Sequence, residues 1–409
     1  MSWQPKSLDE LGFVSRGRSR HRPRDAAHLY GGPHPFVQTG DVKHAGLYLN
    51  EYSQTYSEAG LEQSRMWPQG TLCITIAANI ADTAILGIDA CFPDSVIGFI
   101  PDESKADARF VKYLFDAMLK KRFKQFTQGA AQDNLSQGKL LSLNFPIPSV
   151  AEQRRIASVL SAYDDLIENN RRRIQLLEQA ARLLYKECFV HLRFPGHEHT
   201  QIIDGVPEGW ARREINDLAS KIGSGATPRG GAAAYQTTGI ALVRSQNIYD
   251  FQFVDNGLAY IDDLQAKKLA NVTVEERDIL LNITGASVGR CCMIPSRHLP
   301  ARVNQHVMII RVKPSSCGQH YILHSINSHR NKEQLLNIAR AGGATREALT
   351  KDVVGRLSVI IPPASLLNEF EQRATLLSDQ CHLLDAQNVQ LAKARDLLLP
   401  KLMNGEVAV

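Results

Sequence analysis

Five arginines alternate along one short stretch, Arg16, Arg18, Arg20, Arg22 and Arg24 of "SRGRSRHRPRDAAHLYGG" (Ser15 to Gly32). A guanidinium is a planar fork of N–H donors that matches a phosphate or the edge of guanine. Pro23 and the closing Gly31-Gly32 mark the stretch as a loop. Its chemistry is that of a phosphate-tracking, base-reading loop; the alternative is a solvated charged surface.

A second group of polar residues lies in the other half of the chain. "KIGSGATPRGG" carries Ser224, Thr227 and Arg229 among glycines that let backbone approach closely. After the strand-like "IALV", the segment "RSQNI" offers Arg244, Ser245, Gln246 and Asn247, and the first half offers Gln38, Thr39 and Asp41 of "FVQTGDV". These amides, hydroxyls and charged groups are those that pair with base edges. Thr284 and Arg290 of "NITGASVGR" and Arg346 of "GATREALT" complete the candidate set. As a nucleotide loop, "NITGASVGR" lacks the full glycine fingerprint, and its counterpart "TIAANIAD" lacks the glycines, so a tight turn between strands is expected.

Catalytic patterns are weaker. Pro93-Asp94 followed by Glu103-Ser104-Lys105 spells a nuclease-like arrangement of two carboxylates and a lysine around a metal, but the related strand in the second half, "NQHVMIIRV", lacks the carboxylates. Gly138-Lys139 resembles the end of a phosphate loop, yet Asp133 stands where the first glycine belongs and Leu140 replaces Ser or Thr. No CxxC or HExxH occurs, and Cys291 and Cys292 are adjacent, so neither a metal site nor a disulfide framework is expected.

The elements that must position the two polar groups are set out by periodicity. "AEQRRIASVLSAYDDLIENNRRRIQLLEQAARLLYKEC" (Ala151 to Cys188) reads as one long helix. Its seam steps by four and three through Ile156, Leu160, Tyr163, Ile167, Asn170, Ile174, Leu177, Ala181, Leu184 and Cys188, the 3.5-residue repeat of a coiled coil. A single polar seam residue, Asn170, suits register or partner choice. Ser149 and Glu152 spell a capping box, and Phe194-Pro195-Gly196 a stop. A second seam runs through Phe370, Ala374, Leu377, Cys381, Leu384, Asn388, Leu391, Arg395 and Leu398, interrupted by the charge of Arg395, with Pro400 expected to end or kink the helix.

The second helix repeats the first at an offset of 214, and the repeat continues upstream. "GAAQDNLSQGKLLSLNFPIP" matches "GATREALTKDVVGRLSVIIP" at 214, "FVQTGDV" matches "LVRSQNI" at 206, and Trp3 pairs with Trp210. The expected organisation is α+β: two globular mixed α/β recognition units (1–148 and 207–362), a central spacer helix (149–190), a linker (191–206) and a C-terminal spacer helix (363–409). The central helix is about 55 Å long at 1.5 Å per residue. The linker spans at most about 55 Å fully stretched, so the helices pair most simply as an antiparallel two-helix coiled coil with a pseudo-twofold repeat. The absence of an apolar run of 18 residues and of a signal-peptide core in "MSWQPKSLDE" points to a cytoplasmic protein.

The order of unit, "FPIPSVAEQRRIASVLSAYDDLIENNRRRIQLLEQAARLLY", second unit and "VIIPPASLLNEFEQRATLLSDQCHLLDAQNVQLAKARDLLLPKLMNGEV" resembles the specificity subunits of type I restriction-modification systems over essentially the whole chain. "HRPRDAAHLYGGPHPFVQTGDV" resembles a first target-recognition domain of that family, and "SGATPRGG" with "LVRSQNI" a second. The resemblance implies that each unit reads one half of a bipartite, asymmetric site in double-stranded DNA while the coil sets the unread gap. It implies no catalysis in this chain. The partners implied are two methyltransferase subunits using S-adenosylmethionine, and restriction-translocase subunits driven by ATP with Mg2+; no membrane is implied. A DNA-modifying enzyme with its own nuclease centre and a coiled-coil adaptor that never touches DNA are the competing classes.

Overall fold

The computed structural model describes residues 3–77, 80–127, 135–314, 316–341 and 348–407. The chain forms two compact units, one of residues 1–172 with 384–409 and one of residues 173–383. Each long helix is therefore divided between both units, which a partition by sequence order does not show.

In the first unit the apolar strand Val96–Pro101 lies inside a five-stranded sheet, in the order Gly12–Arg16, Val96–Pro101, Leu72–Thr75, Thr83–Leu86, Tyr48–Leu49. A smaller sheet follows the order Gln54–Tyr56, Tyr30–Phe36, Ala90–Cys91, Met66–Trp67. The second unit repeats both with four strands each, the edge strand Tyr48–Leu49 having no counterpart. One sheet runs Ala219–Ser224, Val307–Val312, Ile279–Asn282, Cys291–Met293, and the other runs Ala259–Ile261, Ile240–Val243, Ala301–Val303, Thr273–Val274. In the second sheet of each unit the middle pair is parallel and the outer pairs antiparallel. The sequence repeat is thus a repeat of topology.

Cores on both faces of the central strands explain why these strands read as continuous apolar runs. Ile279 and Leu281 enter one core and Leu280 the other, as Leu72 and Ile74 separate from Cys73 in the first unit. A strand covered on both faces has no polar positions to alternate. Caps repeat too: Ser136 Oγ accepts from Lys139 N (3.2 Å) and Thr350 Oγ1 from Val353 N (3.3 Å), at the offset of 214. "NITGASVGR" forms a 3-10 turn, Gly285–Ser287, between strands, as expected of it.

The central helix, Val150–Tyr185, continues as a π-helical turn, Lys186–Val190, and the C-terminal helix is Ala364–Met403. They run antiparallel within each unit. In the first unit Asn170 Nδ2 donates to Asn388 Oδ1 (3.0 Å); six residues back along one helix and seven forward along the other, Arg395 meets Asp164. In the second unit Cys381 Sγ lies 3.8 Å from Ile174 O, and eleven residues on in opposite directions Tyr185 packs edge-on to Phe370. Every seam position of both helices is buried or half-buried, so Arg395 does not break the register. Its charge is answered by Asp164, a carboxylate one step off the seam that also accepts a 2.5 Å hydrogen bond from Tyr113.

Two terminal expectations change. Ser149 Oγ accepts from Glu152 N (3.3 Å), but the Glu152 carboxylate takes the Trp3 indole N–H (3.3 Å). Pro400 does not end the C-terminal helix, which continues to Met403 because Leu402 and Met403 are buried in the first unit's core. That burial outweighs the single backbone bond a proline removes. Among the described residues no helix is long and apolar enough to cross a membrane.

Candidate nucleic-acid interface

The candidate residues are placed by one backbone scaffold, built twice. Gly17 N donates to Val96 O (2.9 Å) and Arg18 N to Phe92 O (3.0 Å); Gly225 N donates to Val307 O (2.8 Å) and Ala226 N to Val303 O (3.0 Å). A Cβ on Gly17 would lie 2.3 Å from Phe92 O, and one on Gly225 would lie 2.1 Å from Val303 O. Only glycine allows this approach, at which the chain leaves the strands Gly12–Arg16 and Ala219–Ser224 and enters the polar loop of each unit. Two more bonds repeat beside it, Ile76 N to Ser95 O and Ile283 N to His306 O, both 3.0 Å. Strand-connecting loops are thereby gathered into a rim beside the pivot glycine of each unit.

In the first unit all five loop arginines are exposed. Arg24 Nη2 pairs with Asp94 Oδ2 (2.8 Å) and Arg16 Nε donates to Asp94 O (2.9 Å). Arg22 Nη1 donates to the carbonyls of Ser19 (2.7 Å) and His21 (2.8 Å). The loop backbone is held from outside: Gln63 Oε1 accepts from Arg20 N (2.6 Å) and His21 N (3.0 Å), and Ser64 Oγ donates to Arg18 O (2.9 Å). Gln38, half-buried, donates to Gln54 Oε1 (2.7 Å), and half-buried Thr39 opens the helix Thr39–His44. Beside them Tyr30, Gly31, Tyr52, Ser53, Gln54 and Thr55 line an open cavity of about 300 Å³.

In the second unit the rim is joined by side chains. Thr227 Oγ1 donates to Gln305 Oε1, the Gln305 amide donates to His306 Nε2 (3.1 Å), and Nδ1–H of His306 then donates to Thr284 Oγ1 (2.6 Å). This relay brings together Thr227 and Thr284, which lie 57 positions apart. Asn282 ties Ser245 O (2.9 Å) to Ser287 Oγ (3.1 Å), placing the "RSQNI" turn against the loop that carries Arg290. The Arg290 guanidinium lies 4.5 Å over the Tyr249 ring and that of Arg244 lies 5.1 Å over Tyr235, cation–π contacts that hold each fork in place. Arg244 and Gln246 both donate to Gly257 O. Ser224, Thr227, Arg229 and Gln246 are exposed, and the Arg229 backbone is clasped by both ends of the Gln265 amide (3.3 and 3.0 Å).

Two candidates are corrected. Asn247 is fully buried and gives its amide to the carbonyls of Val254 (2.9 Å) and Asn256 (3.3 Å) while its Oδ1 accepts from Arg244 N (3.1 Å). It cannot reach a base. Asp41, its repeat counterpart, accepts from Gln38 N (2.8 Å) and Ser53 Oγ (3.2 Å), so it caps a helix. Arg346 lies outside the described residues. The residues missed by sequence reasoning are Gln63, Ser64, Asp94, Gln305 and His306; the signal was available in part, since Asp94 and Gln305 both stand two residues before a repeat-related strand.

The nuclease-like pattern is taken apart by its own contacts. Asp94 holds Arg24, and Lys105 pairs with Asp102 (2.9 Å). Among the described residues no group of His, Cys, Asp and Glu is arranged to hold a metal ion.

Residues 1–179 match the family model described as "Type I restriction modification DNA specificity domain". The chain is similar to the type I restriction enzyme MjaIX specificity subunit of Methanocaldococcus jannaschii, at 25% identity over 100% of this chain and 94% of that one. It is similar to the HindI specificity subunit of Haemophilus influenzae at 21% identity, covering 97% and 98%. Among solved structures, the type I restriction-modification S subunit from M. genitalium shares the fold with a TM-score of 0.61 at 13% identity, over 98% of this chain and 96% of that one.

Proposed function

Because the chain belongs to the family of type I restriction-modification specificity subunits, non-catalytic proteins of DNA sequence recognition, we propose that it reads a bipartite, asymmetric site, one half with each rim. One observation carries this reading: the two rims share their backbone hydrogen bonds and pivot glycines but differ in side chains, arginine in one and a hydroxyl–amide–imidazole relay in the other. A common scaffold with different donors and acceptors reads two different sequences.

The paired helices set the length of the unread gap in this reading. They also offer a docking surface for two methyltransferase subunits. In the second unit Leu176, Leu183, Leu376 and Leu383, each 53–64% exposed, all occupy the position just before a seam leucine. Repeated exposed leucines at one heptad position favour a partner helix over solvent. S-adenosylmethionine would be held by those subunits, and ATP with Mg2+ by restriction-translocase subunits that join them; this chain contributes only the address.

The test is methylome sequencing of a host expressing the chain with its methyltransferase partner, expecting methylated adenines in a two-part motif with a fixed gap. Exchanging residues 1–148 for those of another family member should then alter one half of the motif only. A continuous motif, or changes in both halves, would contradict the reading.

A further inference from the structure

The five arginines of the first rim fall into two groups. Arg16 and Arg24 converge on Asp94, and Arg22 closes the turn on two carbonyls of its own loop. The guanidinium groups of Arg18 and Arg20 are exposed and have no hydrogen-bond partner among the described residues. Yet their backbone is the most firmly held part of the loop. Ser64, only 7% exposed, donates to Arg18 O (2.9 Å), Arg18 N is bound to Phe92 O (3.0 Å), and Gln63 accepts from Arg20 N (2.6 Å). A charged head left free on a fixed backbone loses little freedom when it binds, which is how a preorganised contact is made.

We propose that Arg18 and Arg20 are the two guanidinium groups of this loop that contact DNA, that Gln63 and Ser64 are positioning residues for them, and that Arg16, Arg22 and Arg24 build the loop. This rests on the reading of the rim as a half-site reader. The charge pattern supports the division. Asp94 offsets one of the two cations that face it, whereas no ion pair among the described residues offsets Arg18 or Arg20. The repeat supports it as well: Gln305, the counterpart of Asp94, likewise binds a loop residue, Thr227, from the same side. The strand-connecting loop thus acts as a brace in both units.

The experiment uses the full chain assembled with its methyltransferase subunits and a duplex bearing the motif found by methylome sequencing. Affinity is measured against salt concentration. Each phosphate contact contributes about 0.9 to the slope of log K against log salt, so R18A/R20A should lower the slope by about 1.8, and R16A/R24A by less than one. Gln63→Leu should reduce the slope; a role in stability alone would leave the slope unchanged in the folded protein. An unchanged slope in R18A/R20A, or a larger drop in R16A/R24A, would overturn the assignment. Unsubstituted complex that prefers no duplex would overturn the underlying reading instead, and would do so before any variant is made.

Discussion

Replacing Arg395 by leucine would turn the charged seam position into an apolar one, and simple coiled-coil logic expects that to stabilise. The structure predicts the opposite. Asp164 is only 9% exposed at its side chain, and Arg395 is its cationic partner, itself 27% exposed. Leucine would leave the carboxylate buried with the Tyr113 hydroxyl as its remaining donor. Breaking a buried pair from one side costs about 3–5 kcal/mol, and the partial exposure of Arg395 reduces this to about 2–4 kcal/mol. Replacing both residues, as D164L/R395L, removes the stranded charge and should recover most of the loss. The chain has two units, so a global unfolding curve does not isolate this effect. Native-state hydrogen exchange on peptides covering 156–170 and 388–403 does. Protection should fall by roughly 30-fold to several hundred-fold in R395L, at a factor of ten per 1.4 kcal/mol, and return in the double variant. Protection in R395L equal to that of the unsubstituted chain, or a double variant no better than the single one, would refute the argument.

Other outcomes follow from the same contacts. Burial holds His320 down to about 4 and His324 down to about 3, with Arg277 adding to the first and His320 and Arg182 to the second. The folded second unit therefore binds fewer protons than the unfolded chain, and stability present above about pH 6.5 is lost as pH falls toward 4, by about 2 kcal/mol per histidine at pH 5. Denaturant midpoints read from peptides of the second unit should drop steeply from pH 7 to 5, and much less in H320Q/H324Q; parallel curves would show that neither histidine is responsible. Gly17→Ala would press a methyl group against Phe92 O, at about 1–3 kcal/mol. It should weaken recognition of one half-site while the other survives, as half-site mutant duplexes would report; equal weakening at both would point to general unfolding. Adding one heptad after Arg172 and another after Asp385 leaves the Asn170–Asn388 and Cys381–Ile174 contacts intact. About 10.5 Å of added rise should widen the gap by roughly three base pairs, with both half-site identities retained in the methylome. The original gap would show that the helices do not set it.

Much of the architecture was legible in the sequence because coil and repeat are written in period and offset. The seams stayed on register even through Arg395, whose partner Asp164 lies one step off the seam and so escaped a search by seam position. The strand repeat was legible because buried strands of both units carry the same apolar runs. The rims were less so. Asn247 and Asp41 carry groups suited to reading bases, but the same groups cap turns and helices, and only burial tells the two uses apart. Gln63 and Ser64 act on residues some 43 to 46 positions away, a proximity that no local pattern encodes.

What the two units share is carried by backbone. The bonds from Gly17 and Gly225, from Arg18 and Ala226, and from Ile76 and Ile283 all join main-chain N–H groups to main-chain carbonyls. Such bonds ask only that a glycine stand at the pivot and that the strands keep their apolar faces. Side chains on the rim are then free to differ without loosening the scaffold, and here they do: Arg18 stands where the second unit has Ala226, and Asp94 where it has Gln305. A duplicated fold whose framework is main-chain and whose contacts are side-chain can diverge in one half while the other is untouched. The side-chain braces are the exception to this freedom. The Asp94 carboxylate serves Arg24, and Gln305 serves Thr227, so each brace must change together with the loop it holds. The unit of exchange is therefore the whole rim, loop and brace together, and a loop moved without its brace would arrive with its backbone in place but Arg24 or Thr227 unbraced.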